Sequence, residues 1–191
     1  QQFWNIASRA WQNLQIAVLG LQQISMGVPM SIRLNEIVPD FTAETDQGEI
    51  GFHEWIGDGW AIMFSHPKDF TGVCTTELSA VAQLTDEWAA RNTKVIGVSS
   101  DGVSKHADWK KDIETLACRS ADFPIIADHD AAVSSTFEML PAEAYTADGG
   151  LLDTARAVRS LFIIGPDKKL KLSLFYPCLL YTSPSPRDVE E

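Results

Sequence analysis

The chain predicts an α/β fold in which a mixed sheet is flanked by helices. Three features carry this reading. Short apolar runs of strand length alternate with longer amphipathic or polar runs of helix length. Helices interposed between strands require crossover connections and cover both faces of the sheet. The last two strands, in contrast, follow each other directly as a hairpin.

Each element has its own signal. Trp60-Ala61-Ile62-Met63-Phe64 is an apolar strand, and Leu78 to Ala90 is one amphipathic helical run after it. Lys94-Val95-Ile96-Gly97-Val98 and Phe123-Pro124-Ile125-Ile126-Ala127 are further short strands. Ser104 to Thr115 reads as a polar helix, with Lys110-Lys111-Asp112 on a solvated face. Ala131 to Leu140 reads as a helix despite its Ser and Thr. Val158 to Ile164 pairs with Leu170 to Phe175 across Gly165-Pro166-Asp167-Lys168. Leu170, Leu172 and Leu174 alternate, so the second strand is expected to keep one solvated face. Asp148-Gly149-Gly150 is a loop. A terminal hairpin on such a sheet is the thioredoxin-like arrangement.

Composition narrows the function classes. The 191 residues fit one domain, and 45% hydrophobic residues suffice for a core. A formal charge of −11 argues against nucleic acid or an anionic membrane as the main partner. No apolar run is long enough to span a bilayer, so stable membrane insertion is not expected. The three cysteines, Cys74, Cys118 and Cys178, form no CxxC pair. That is a poor disulfide framework and a poor metal site, so neither a metal nor another cofactor is expected, and a reducing, cytoplasmic location is.

Both ends differ from the middle. Residues 1–29 contain a single charged residue, Arg9, and six glutamines, and are expected to be a non-native or disordered extension. The stretch from Cys178 to Asp188 resembles the translation of a transposase sequencing adapter. Residues 178–191 are therefore expected to lie outside the natural protein, and the domain to occupy residues 30–177.

The chemistry concentrates at Pro67-Lys68-Asp69-Phe70-Thr71-Gly72-Val73-Cys74. A strand, a tight loop and then a cysteine in the first turn of a helix place the thiol among unpaired backbone N–H groups at the positive end of the dipole. A thiol so placed tends to ionise, and the thiolate is the nucleophile. Cys118 has no cationic or loop-like surroundings and reads as an inert core residue.

The same residues resemble a known family. Pro67-x-x-x-Thr71-x-x-Cys74 is similar to the active-site pattern of the peroxiredoxins. The surrounding motifs resemble the one-cysteine subfamily: Val38-Pro39-Asp40-Phe41, Gly51-Phe52-His53-Glu54-Trp55, Phe64-Ser65-His66-Pro67 and Cys74-Thr75-Thr76-Glu77. Farther along come His106-x-x-Trp109-x-x-Asp112-Ile113 and Arg159-Ser160-Leu161-Phe162-Ile163-Ile164, and the match runs from about Ile32 to Pro177. Two departures stand out. Gly72 occupies a place usually held by proline, which loosens the loop. The family pattern beyond Tyr176-Pro177, with its second arginine, helix and dimerising domain, has no counterpart.

The resemblance implies a thioredoxin-like peroxiredoxin fold and a thiol peroxidase. Cys74 would be the peroxidatic nucleophile, attacking a peroxide oxygen and becoming a sulfenic acid. Arg159 would stabilise the thiolate, with Glu77 orienting it. Thr71 would offer its hydroxyl to the sulfur or the peroxide, and Pro67 would cover the sulfur. His66 would either contact substrate or make a structural hydrogen bond, and His53 is expected to be structural. The implied partners are hydrogen peroxide or an organic hydroperoxide, including lipid hydroperoxides, an external thiol such as glutathione or a thioredoxin-like protein, and a second copy in a homodimer. Two other readings use the same fold. One is a holdase-like or assembly protein. The other is a phospholipase-type hydrolase using His53, Asp167 and a serine, and Gly59 stands where the serine would be.

Overall fold

The computed structural model describes residues 32–176; the expected extension over residues 1–29 and the tail from Cys178 onward lie outside them. Among the described residues a seven-stranded mixed sheet is built from β1 (Thr42–Thr45), β2 (Gly48–Gly51), β3 (Trp60–Ser65), β4 (Thr93–Ser99), β5 (Ile125–Ala127), β6 (Arg159–Ile164) and β7 (Leu170–Tyr176). Their spatial order is β2-β1-β5-β4-β3-β6-β7. β3, β4 and β5 run parallel, joined through helices, whereas β1, β6 and β7 pair antiparallel. This is the mixed sheet with helices on both faces that the alternation predicts.

Strand periodicity divides the core. In β3, Ala61 and Met63 belong to one buried cluster with Phe52, Ile96, Val98, Phe137, Phe162 and Ile164. Ile62 and Phe64 face the other way, onto a cluster of Cys74, Leu78, Val95, Trp109, Ile113 and Ile125. Helices α1 (Phe52–Ile56) and α5 (Ala132–Thr136) supply the first cluster; α2 (Gly72–Gln83) and α4 (Val103–Ala117) supply the second. The central strands are buried on both faces, as parallel strands must be.

Four expectations are corrected. The run from Leu78 to Ala90 is two helices, α2 and α3 (Thr85–Ala90), broken at Leu84. The Thr85 hydroxyl donates to Ala82 O at 2.7 Å and the Trp88 indole N–H to Val81 O at 3.1 Å, so side chains take the carbonyls at the junction. The helix expected from Ala131 to Leu140 is only five residues long. Asp128 caps its start on the N–H groups of Val133 and Ser134, and Glu138, at φ 54°, ends it with Met139 N–H bonded to Ser134 O at 2.7 Å.

The leucines of β7 do not share a face. Ile164 pairs with Leu170 but Ile163 with Leu172, so Lys171 is an extra residue and the side-chain order flips there. Leu170 is buried, while Leu172 and Leu174 are exposed. Lys110 is not on a solvated face either. It is buried on α4, where its ammonium donates to Phe123 O at 2.6 Å and pairs with Asp46. Lys111 and Asp112 beside it are exposed.

Met63 is fully buried in the centre of the sheet. Met63→Ala is expected to lower unfolding free energy by about 2–5 kcal/mol, read as a lower urea midpoint at unchanged m.

Candidate active site

The C-terminal end of β3, residues 66–71 and the first turn of α2 form one continuous device. Cys74 is the third residue of α2 and is fully buried. Thr71 is the N-cap residue, extended at φ −99°, and the first i to i−4 bond runs from Thr75 N–H to Thr71 O at 2.9 Å. The amides of Gly72, Val73 and Cys74 precede that bond, and no side chain caps them. Their partial positive charge lies at the helix end that carries Cys74.

The sheet brings a full positive charge to the same point. β6 lies antiparallel beside β3 with Ser160 opposite Ser65, so Arg159 stands at the level where β3 runs out into the loop. Alternation sends Ser160 and Phe162 to the face opposite α2, and Arg159 to the face of the cysteine. The Arg159 Nη2–H donates to Cys74 Sγ at 3.2 Å, and its Nη1 pairs with Glu77 one turn farther along α2. Arg159 is buried and Glu77 is half-exposed, so the pair is reached by solvent from the carboxylate side. Under the arginine, the Ser65 hydroxyl donates to Val158 O at 2.6 Å. That hydroxyl oxygen also accepts from Ser160 N–H, 3.1 Å away, which locks the ends of β3 and β6 together.

Cys74, Arg159 and Glu77 are thus brought together, while the other candidates sit differently. Pro67 is half-buried. The Thr71 hydroxyl donates to Lys68 O at 3.3 Å; a hydroxyl has one proton, so the bond expected toward the sulfur is not made in this arrangement. Of the two roles expected for His66, the structural bond is present. Its ring is buried, 4.9 Å from the Trp109 ring, and its Nε2 lies 2.7 Å from Asp69 Oδ1. His53 Nε2 lies 2.9 Å from Val38 O. Cys118 is not a core residue. It caps α4 in the left-handed region at φ 53° and is exposed. Position 59 is closed to a hydroxyl: a Cβ on Gly59 would lie 2.6 Å from Asn92 O.

Two residues were given no role by the sequence reading, Asp69 and His106. Asp69 is buried, with His106 Nδ1 2.6 Å from its Oδ2 on the side opposite His66. The signal for His106 was present in the spacing. His106, Trp109, Lys110, Ile113 and Ala117 follow a helical stripe, and all are buried. Burial holds His66 below the usual histidine range despite the neighbouring carboxylate. Burial would raise the Asp69 carboxyl, but hydrogen bonds from His106 and His66 outweigh it and hold it below the usual carboxylate range. Tyr176, paired across from Arg159, has its phenol raised by burial and by the charge of Glu77. Next in the loop, Phe70 is left-handed at φ 58°, a conformation that costs an aromatic residue about 1–3 kcal/mol.

Two predictions follow the local geometry. Native His66 takes up its proton at lower pH than the unfolded chain, which takes it below about 6.5. The unfolded state then binds more protons, so stability falls as pH drops through that value, by at most about 1.4 kcal/mol per unit. Asp69 adds a loss of the same sign below 3.8. Urea unfolding between pH 7 and 5 should show this slope, and His66→Gln should flatten it. Gly72, at the first helical position, makes no backbone bond outside the helix, and the space around its missing Cβ is open. Gly72→Pro is expected to raise stability by about 0.4–1 kcal/mol, seen as a higher Tm, with Cys74 alkylation retained.

Comparison with known proteins agrees with this geometry. The AhpC/TSA family profile matches residues 34–173. Peroxiredoxin-6 of Homo sapiens is 46% identical over 155 residues, covering 78% of this chain and 67% of its own length. The solved structure of peroxiredoxin 6 of Arenicola marina superposes at a TM-score of 0.70 with 40% identity, over 78% of this chain and 66% of that one. A yeast mitochondrial one-cysteine peroxiredoxin superposes at 0.67, also with 40% identity, over 78% of this chain and 70% of its own. The chain therefore spans about two thirds of the length of these relatives. It belongs to the AhpC/TSA family and, within it, to the one-cysteine peroxiredoxins, which are thiol-dependent peroxidases.

Proposed function

We propose that this chain reduces hydrogen peroxide and organic hydroperoxides at Cys74. The observation that carries the reading is the Arg159 guanidinium 3.2 Å from Cys74 Sγ, at the uncapped first turn of α2. The thiolate attacks the distal peroxide oxygen. The O–O bond breaks as the S–O bond forms, and the departing oxygen leaves as water or an alcohol after taking a proton. The cation and the free amides act where negative charge develops on that oxygen. Glu77 holds the other edge of the guanidinium, so one plane faces both the carboxylate and the sulfur. Pro67 and Thr71 complete the rim, and rotation of the Thr71 hydroxyl away from Lys68 would let it donate to a bound peroxide.

An external thiol restores the cysteine. It condenses with the sulfenic acid, releasing water and forming a mixed disulfide, and a second thiol reduces that disulfide. Cys74 and Cys118 are both free. The yeast relative has its thiol resolved via glutathione/thioredoxin systems, which supports the same reductant class here. Free thiols also support a reducing, cytoplasmic setting. Beyond Leu170 no described strand pairs with the outer edge of β7, and Leu172, Leu174 and Phe175 are exposed; together these support a homodimer.

Consumption of hydrogen peroxide with excess small thiol tests the reading. Cys74→Ser is expected to abolish turnover, while Cys118→Ser leaves it at the wild-type rate. Full turnover by Cys74→Ser would reject the assignment.

A further inference from the structure

We propose that Asp69 is a positioning residue for the peroxidase reaction, clamping the loop that aims Cys74 at Arg159. This inference rests on the peroxidase reading above. Three anchors converge on this one residue. His66, at the end of β3, approaches Oδ1 at 2.7 Å, and His106, on α4, approaches Oδ2 at 2.6 Å. The Asp69 backbone N–H donates to Asp101 Oδ2 at 2.7 Å, and Lys105 pairs with the other oxygen of Asp101 at 2.6 Å. The carboxylate is thus pinned between a strand end and a helix, and its backbone is tied to the loop ahead of that helix.

What this grip accomplishes is set by the next residue. Phe70 is held left-handed, with half of its surface exposed and its ring 6.4 Å from that of Trp109 on α4. The anchored Asp69 precedes it and the N-cap residue Thr71 follows it. The turn at Phe70 therefore sets where α2 begins and in which direction its first turn points. Farther along, Thr75 Oγ1 accepts from the Trp109 indole N–H at 3.0 Å and donates to Thr71 O at 2.8 Å, which ties that turn to α4. His106 and Trp109 lie on the same face of α4, so one helix holds both ends of the loop. Released from Asp69, the loop would let Phe70 relax, and Cys74 Sγ would drift from its 3.2 Å contact with Arg159.

The charge of Asp69 is a separate matter from its grip, and two substitutions distinguish them. Asn accepts from one imidazole through its oxygen and donates to the other through its amide after a change of tautomer, keeping the clamp without the charge. Ala removes both. Charge alone would move Asp69→Asn and Asp69→Ala in the same direction, whereas positioning separates them.

In the full chain, kcat/KM for hydrogen peroxide and the iodoacetamide rate of Cys74 at pH 7, relative to its alkaline plateau, are the readouts. Asp69→Ala is expected to lose about 10- to 100-fold in kcat/KM, mainly in kcat, and to lower the relative alkylation rate. Asp69→Asn is expected to keep both near wild type. If Asp69→Ala does not fold, Asp101→Ala, which removes only the backbone anchor, should shift both readouts in the same direction by less. Wild-type values in Asp69→Ala, or in Asp101→Ala if only that variant folds, would overturn the proposal, as would equal losses in Asp69→Asn and Asp69→Ala. Absence of turnover in the wild type would count against the peroxidase reading instead, and alkylation would still decide the role of Asp69.

Discussion

A permanently charged guanidinium buried at the end of a central sheet is the constraint around which this molecule is arranged. Arg159 cannot shed its charge, and moving a cation out of water is costly unless anions or strong acceptors meet it. Glu77 meets one edge and the cysteine sulfur another. The Glu77 carboxylate is half-exposed, and the Cys74 sulfur lies at the buried edge of the guanidinium, 3.2 Å from Nη2.

The rest of the architecture serves this meeting. Arg159 comes from β6 and Cys74 from the helix after β3, so the antiparallel register of β6 on β3 sets their height. The serine pair at the strand ends holds that register without occupying the reactive face. The α2 helix is pressed onto the sheet by α4, through Trp109 and Ile113 in the second buried cluster. A fully buried aspartate between two histidines then fastens the intervening loop. Buried charge is used twice within this small region. In each case its hydrogen bonds reach groups from different elements, which gives the loop a defined geometry.

Much of this was legible in the chain because it is written in local patterns. The strand before the loop, the cysteine in a first helical turn and the terminal hairpin follow from periodicity and turn chemistry at Trp60–Phe64, Gly72–Cys74 and Gly165–Lys168. The break at Leu84 was not legible, because it depends on Trp88 and Thr85 donating to carbonyls that a continuous helix would have used. The flip in β7 depends on one extra residue, Lys171, which leucine alternation cannot reveal. Lys110 looked solvated by its charge and is buried, because Asp46 and a carbonyl wait for it from distant parts of the chain.

The sequence by itself determined the main element types and the helix-terminal setting of Cys74, since these rest on neighbours within a few residues. It also carried the motifs by which the family is read. Only the tertiary structure decided which polar groups meet. Arg159 joins Cys74 across 85 positions, and Asp69 joins His106 across 37. The reason is that pairing strands and packing helices bring distant residues into contact, and the distances over which hydrogen bonds act are unrelated to separation along the chain.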